Sequence, residues 1–134
     1  YQHASEETAD ITVSYLQNST LEASGSVRVI GQGAYYSKII AGQGYYQARG
    51  VFRGGEIVVE EGDIQVKELG GPTGIVTVAS IVRNGRMSIG LVHPHVTVAI
   101  GNQKYRFENQ TSMVRVYLSN EGLEVFSGSA SLLR

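Results

Sequence analysis

The sequence predicts an all-β domain built as a short β-solenoid, a parallel β-helix of stacked strand-and-turn coils. The chain has 17 glycines but two prolines in 134 residues, so its turns depend on glycine. Short runs rich in Val, Ile and Tyr lie between the glycines, and no helical periodicity extends far. A nearly constant repeat of about 18 residues is the most informative of these observations.

Glycine-ended phrases carry the repeat. Thr20–Gly25, Ile39–Gly44 and Ile57–Gly62 superpose, and the second step between their final glycines is one residue shorter than the first. A second pair of phrases supports the repeat. Ser37–Ile39 matches Gly55–Ile57, and the two are separated by the shorter of these two steps. Coils of about 18–19 residues stack about 4.8 Å apart in a solenoid and align equivalent side chains in rows.

This alignment predicts which side chains point into the stack. We expect two inward rows: Leu21, Ile40 and Val58 in one, and Val27, Tyr46 and Ile64 in the other. Each coil then buries its apolar side only against its neighbours. The alternative is a β-sandwich in which the repetition is accidental.

The later part of the chain departs from the repeat. A turn-rich insertion at Leu69–Gly74 is followed by strand-like sequence at Ile75–Val78. Alternating residues predict hairpins at Val96–Phe107 and around Ser119–Gly122. We assign a single domain over 1–134, with coils at 15–92 and a hairpin region at 93–134. These hairpins either cap the open end of the stack or extend it sideways, and the sequence leaves both arrangements open.

Three phrases resemble, in order, the repeat region of the flagellar assembly protein A (FapA) family. They are Ala34–Gly42, Arg49–Ile57 and Gly62–Gly70, and Thr77 stands where that family has a Thr-containing strand. The resemblance covers roughly residues 15–110. It implies a right-handed parallel β-helix with no known enzymatic activity. Val58–Glu61 departs from the family's Ile-x-Ala-Gly-Gly phrase, and the family's N-terminal domain and C-terminal helical segment are absent from the sequence.

Composition argues against several classes of protein. Eleven Lys and Arg against twelve Asp and Glu give a net charge of −1, so no strong field gathers nucleic acid or anionic lipid. The lack of cysteine excludes disulfides and Cys-ligated metals. No run approaches the roughly 18 apolar residues of a membrane-spanning helix. We expect a cytoplasmic bacterial domain, and the initial Tyr1 suggests a piece of a longer protein.

We expect no enzyme activity, no cofactor and no bound metal. His93–His95 presents two imidazoles, but the proline between them favours an extended turn with both histidines in solvent. Glu56, Glu60 and Glu61 come nearest to the carboxylate cluster that a carbohydrate-cleaving β-helix requires. Glutamates at strand and corner positions more often keep a surface soluble and block edge pairing.

A cluster of tyrosine and arginine is the candidate contact surface. Its members are Tyr35, Tyr36, Tyr45, Tyr46, Arg49 and Arg53. Successive strand side chains point to opposite faces, so one member of each tyrosine pair should face outward. Exposed Tyr and Arg are typical of protein-contact surfaces. The alternative is that the tyrosines only end their rows with hydroxyl groups in water.

These observations predict a non-catalytic scaffold or protein-docking domain of a bacterial assembly or positioning factor. The FapA resemblance implies partners connected with flagellar placement or cell-pole organisation, and analogy adds a nucleotide-driven positioning ATPase. Self-association through an uncapped end of the stack is a further expectation. Two other classes stay open: a carbohydrate-binding or carbohydrate-cleaving β-helix, and a self-assembling cytoskeletal solenoid of the bactofilin kind.

Overall fold

The computed structural model describes residues 8–133, which form strands joined by turns. The twelve strands are β1 Ile11–Gln17, β2 Thr20–Ala23, β3 Ser26–Ala41, β4 Gly44–Val59, β5 Asp63–Leu69, β6 Thr77–Ile81, β7 Met87–Val92, β8 Val96–Ile100, β9 Gln103–Arg106, β10 Thr111–Ser119, β11 Gly122–Ser127 and β12 Ala130–Ser131. They make one curled sheet, a β-solenoid of about five coils, which confirms the predicted fold. Within 8–133 there is no helix of the length and hydropathy needed to cross a membrane.

Each coil pairs in parallel with its neighbours through three short segments. The coils are β1 with β2, β3, β4, β5 with β6, and β7 with β8. Between β3 and β4, the first segments pair Ser26–Arg28 with Gly44–Tyr46, the second pair Gly33–Tyr35 with Val51–Arg53, and the third pair Ser37–Ala41 with Gly55–Val59. We call the outward side of the first segments the first face, and that of the third segments the third face.

The inward row of the third segments differs by one residue from the prediction. Leu21 pairs with Ile39, and Ile39 pairs with Ile57, both of which are completely buried. Ile40 and Val58 stack on each other as expected, but on the half-buried outward side. The prediction of an inward row is therefore correct for Leu21 and wrong for Ile40 and Val58, whose places are taken by Ile39 and Ile57.

The row through the first segments shows the same shift. Val27 pairs with Tyr45, and Tyr45 pairs with Ile64, so these three side chains form the inward row. Tyr46, which we expected in this row, pairs with Arg28 on the outward side.

Both shifts arise from the position of one extra residue in the repeat. All pairs between β3 and β4 have the same separation in sequence, equal to the shorter step of the repeat, and the longer step first joins Gly44 to Asp63. At the corner before Asp63, a Cβ on Gly62 would lie 1.8 Å from the carbonyl oxygen of Gln43, so this close approach requires glycine. Aligning Gly25 with Gly44 placed the longer step one coil too early.

The corner between the second and third segments needs a left-handed backbone. Asn18, Tyr36 and Gly54 occupy this corner in successive coils and have φ angles of 52°, 53° and 80°. Glycine adopts this conformation freely and asparagine tolerates it, whereas tyrosine does so at an energetic cost. The residue at this corner therefore suits its backbone conformation in the first and third coils, but not in the second.

The fourth coil carries the predicted insertion. Leu69 pairs with Phe52, and Thr77 pairs with Gly55. Residues 70–76 lie between these pairs in the fourth coil, whereas only residues 53–54 lie between them in the third coil. The loop 70–76 accounts for this lengthening, and β6 begins at Thr77 rather than at Ile75. Parallel pairing continues from β1 to Ile100, so the stack is longer than the expected range of 15–92.

Both predicted hairpins are present. β8 turns into β9, and β10 turns into β11. β9 adds to the edge of β8 and β10 to the edge of β7, both antiparallel, so the hairpins extend the sheet beyond the last coil. Phe107, Val116 and Val125 are also buried in the core. The hairpins therefore extend the sheet and close its end at once.

Candidate functional site

Tyr45, one of the six predicted contact residues, lies in the core. Its side chain is 0% exposed, and its ring meets that of Phe52 edge-on at a centroid distance of 5.9 Å. The Tyr45 hydroxyl donates to Gln47 Oε1, while Gln47 Nε2 donates to the Val51 carbonyl oxygen at 3.0 Å. Burial raises the pKa of the Tyr45 hydroxyl far above its ordinary value. Its place in the contact surface was wrong because the register turns Tyr46 outward instead.

The other five predicted contact residues divide into two patches. Tyr35 and Arg53 are neighbours on adjacent coils, and Tyr36 follows at the corner with 56% of its surface exposed. Tyr46 lies on the first face, and Arg49 lies at the corner after it. The structure therefore places these side chains in two separate parts of the coil rather than in one strip.

A charged cluster that the sequence did not reveal joins three successive coils. Arg53 Nη2 and His93 Nε2 lie 3.3 Å and 2.7 Å from the same oxygen, Glu68 Oε2. Arg53 Nε also donates to the carbonyl oxygen of Gly70 at 3.0 Å, at the start of the loop 70–76. The cluster therefore ties the base of this loop to the coils on either side of it.

The prediction of two solvated histidines is wrong for His93. The side chain of His93 is 7% exposed, and its Nδ1 is buried without a hydrogen-bond partner. His95 is exposed, and its Nδ1 accepts a hydrogen bond from Arg106. The two imidazoles thus have separate surroundings. Within residues 8–133 no three His, Asp or Glu side chains are grouped closely enough to hold a metal ion.

The glutamates considered for carbohydrate cleavage do not share a site. Glu56 lies on the third face, 3.8 Å from Lys38 Nζ, and Glu60 lies at the next corner, 2.7 Å from Arg83 Nη2. Glu61 follows Glu60 at that corner and is exposed. The first two therefore serve as partners in surface ion pairs.

The first face brings together arginine and aromatic side chains that the sequence shows far apart. One outward row crosses six strands and contains Arg28, Tyr46, Gln65, Ser88, Arg115 and Phe126. The guanidinium of Arg28 lies over the Tyr46 ring at 5.0 Å, and that of Arg115 over Phe126 at 5.4 Å. Beside this row, Arg86 lies 5.5 Å from the centre of the Tyr117 ring. Cation–π contacts of this kind attract a guanidinium group to the face of an aromatic ring.

The cations on and beside the first face lack carboxylate partners in the described part of the chain. Among residues 8–133, no carboxylate forms an ion pair with Arg28, Arg49, Lys67, Arg86 or Arg115. The third face differs, because its outward rows include the Lys38–Glu56 pair and small or aliphatic side chains such as Val78 and Ala99. Of the six Lys and Arg side chains without an ion pair among residues 8–133, five therefore lie on or beside the first face, and the sixth is Lys104 on β9.

The first face is the candidate site, and its interpretation rests on the geometry given above. Comparison with family models, with curated proteins and with solved structures finds no match for this chain.

Proposed function

We propose that this domain is a non-catalytic scaffold and protein-docking module of a bacterial cytoplasmic assembly or positioning factor. The observation that carries the proposal is the first face, where arginine and aromatic side chains are displayed in register on a continuous sheet. The solenoid would fix this face at a set distance and orientation within a larger assembly.

The chemistry of the first face supports docking. Arg and Tyr are enriched where proteins meet, because each combines a large apolar contact area with hydrogen-bonding capacity. Arg28 and Tyr46 lie on β3 and β4, which are hydrogen-bonded to neighbouring strands on both sides. A surface held in this way loses little conformational freedom on binding, which favours affinity.

Site-specific photo-cross-linking in bacterial cells tests the proposal. A benzoylphenylalanine in place of Tyr46 should give a discrete cross-linked product with a partner protein. The matched control replaces Thr97, an outward, half-buried strand residue on the third face, and should give no such product. The proposal fails if positions 28, 46 and 115 of the first face all give no product.

The FapA resemblance supports a narrower version of this proposal, in which the partner belongs to the machinery of flagellar placement or cell-pole organisation. A nucleotide-driven positioning ATPase is the partner that analogy favours. Identification of the Tyr46 cross-link by mass spectrometry tests this version, and a partner outside that machinery would reject it.

Self-association is a second candidate function, and the first coil favours it. Within the described residues, β1 and β2 pair only with β3, so each has an outer edge of backbone groups that a second copy could pair with. Light scattering over a hundredfold range of concentration tests it. A mass that rises with concentration supports assembly of the bactofilin kind, and a constant monomer mass rejects it.

A further inference from the structure

A groove crosses the first face along the stacking direction of the coils. We call it the axial groove, and it is lined by Arg28, Ala48, Lys67, Ser88, Gly90 and Arg115. It consists of three cavities of about 330, 320 and 480 Å³. Ala48 lines both the first and the second, and Ser88 lines both the second and the third, so the cavities adjoin one another along the face.

Small residues keep the floor of the groove low. Ala48 and Ser88 have short side chains, and Gly90 has none. A Cβ on Gly90 would lie 2.6 Å from the carbonyl oxygen of Lys67, so close packing of the coils favours glycine at this point. The result is a depression along which an extended backbone can lie.

The charged residues that line the groove are all positive. Arg28 and Arg49 lie at one end, Lys67 in the middle and Arg115 at the other end, all without an ion-pair partner among the described residues. Arg28 and Arg115 lie over aromatic rings, and Arg115 Nη2 also donates to the carbonyl oxygen of Gly128, so the positions of both guanidinium groups are restrained. An oriented guanidinium edge is suited to paired hydrogen bonds with a carboxylate.

Both ends of the groove also present exposed apolar side chains. Ile30 is 51% exposed, and Met113 is 68% exposed. Met113 has a φ of 54°, a strained conformation for a residue other than glycine, and it lines the third cavity. Backbone strain of this kind is concentrated at binding sites, where the surrounding structure maintains it.

We infer that the axial groove binds an extended acidic peptide segment of a partner protein, in which carboxylates alternate with apolar side chains. The inference rests on the docking function proposed above and names the chemistry of its ligand. From β3 to β10 the groove spans four strand spacings, or about 19 Å, the length of about six extended residues. Carboxylates of the segment pair with Arg28, Lys67 and Arg115, while its apolar side chains cover Ile30 and Met113.

Other polyanions fit the same surface less well. Single-stranded nucleic acid binds through bases that stack on open aromatic faces, but Arg28 and Arg115 already lie over Tyr46 and Phe126. A lipid bilayer presents a broad, flat surface that does not enter a groove. A peptide satisfies the cations, the apolar ends and the narrow shape together.

Fluorescence anisotropy on the whole chain tests the inference. The probe is a fluorescein-labelled peptide of about eight residues in which glutamate alternates with leucine, and the reference replaces its glutamates with lysines. We expect binding of the glutamate peptide alone, weakened by added salt. Arg49→Glu combined with Lys67→Glu should raise its Kd by at least about tenfold. Lys104→Glu, at an exposed lysine on β9, is the matched control and should leave the Kd unchanged.

A steric pair separates the shape of the groove from its charge. Ala48→Tyr should fill the groove and raise the Kd, whereas Ala99→Tyr, on the outward side of β8, should not. Equal binding of the lysine peptide, an unchanged Kd in the charge-reversed variant, or tighter binding of an oligothymidylate or of phosphatidylglycerol vesicles would each overturn the inference.

Photo-cross-linking at position 46 distinguishes failure of the axial-groove inference from failure of the proposed docking function. If the Tyr46 cross-link to a partner persists after Arg49→Glu and Lys67→Glu, docking stands and the axial groove is not its site. If the cross-link is lost together with peptide binding, while circular dichroism shows that the fold is intact, both proposals are supported.

Discussion

The two ends of the described stack bury their side chains to different extents. At the last coil, Met87 is 1% and Val98 is 0% exposed, because β10 and β9 pair with the strands that carry them. At the first coil, the corresponding Ile11 and Leu21 are only partly buried. The difference shows that a coil cannot complete its own core and needs a neighbour on each side. At the last coil, antiparallel hairpins take the place of a further coil.

The largest expected effect comes from removing the closing residue of the last coil. Phe107 is 1% exposed and packs edge-on against Tyr105 at 4.9 Å. Phe107→Ala should lower the free energy of unfolding by about 3–5 kcal/mol because it leaves a cavity. Tyr15→Ala, at a first-coil position that is 47% exposed, should cost less than about 1 kcal/mol. Urea unfolding followed by circular dichroism measures both, and equal costs would contradict the comparison.

A closer comparison uses the same substitution at the two ends. Val114 is 1% exposed and pairs with Ile89, whereas Val13 is partly buried and pairs with Val29. Val114→Ala should cost about 2 kcal/mol, and Val13→Ala less than about 1 kcal/mol, because the lost methyl groups differ in burial. Urea midpoints of the two variants give the answer directly. A larger loss at Val13 would show that the first coil is better covered than its exposure indicates.

The middle of the stack, covered on both sides, should respond to alkali through Tyr45. Burial raises the pKa of its hydroxyl far above the ordinary value near 10, so the unfolded chain loses this proton first as the pH rises. The free energy of unfolding therefore does not change through Tyr45 below about pH 10. Above that pH it should fall by about 1.4 kcal/mol for each pH unit. Urea unfolding at a series of values from about pH 8 to about pH 11 measures this slope. Tyr45→Phe should have a shallower slope, and an identical slope would show that Tyr45 ionises equally easily in the folded state.

The smallest effect concerns the left-handed corner, where the first coil has Asn18 and the second has Tyr36. Tyr36→Asn should raise the free energy of unfolding by about 0.5 kcal/mol, because asparagine tolerates the positive φ of 53° better than tyrosine. Thermal unfolding should show a small increase in Tm. Tyr46→Asn, at an ordinary strand position, is the control and should not increase it.

The repeat made the fold predictable because each corner had to satisfy a steric condition that leaves a trace in the sequence. Gly62 shows this, since any side chain there would meet the Gln43 carbonyl oxygen. The corner one coil earlier is occupied by Gly42, Gln43 and Gly44, and it is Gln43, not either glycine, that stacks on Gly25. A slip of one residue followed, and it assigned the wrong facing to Ile40, Val58 and Tyr46.

The candidate site was less predictable, because it depends on which of two adjacent side chains points outward. Tyr45 and Tyr46 are identical in type, and the sequence could not show that Gln47 provides a buried acceptor for the hydroxyl of Tyr45. Arg28 gave no signal by itself, since its partner ring at Tyr46 lies one coil away. The contact of His93 with Glu68 likewise joins residues on separate coils.

The constant step between β3 and β4 limits how this domain can change in length. One residue added between Gly55 and Ile57 would turn the side chains after it to the opposite face and expel Ile57 from the core. A whole duplicated coil would present the same donors and acceptors to its neighbours, and the corner at 70–76 already accommodates extra residues. The domain can therefore be lengthened by whole coils, each adding about 4.8 Å, while the strand register of the coils on either side stays unchanged.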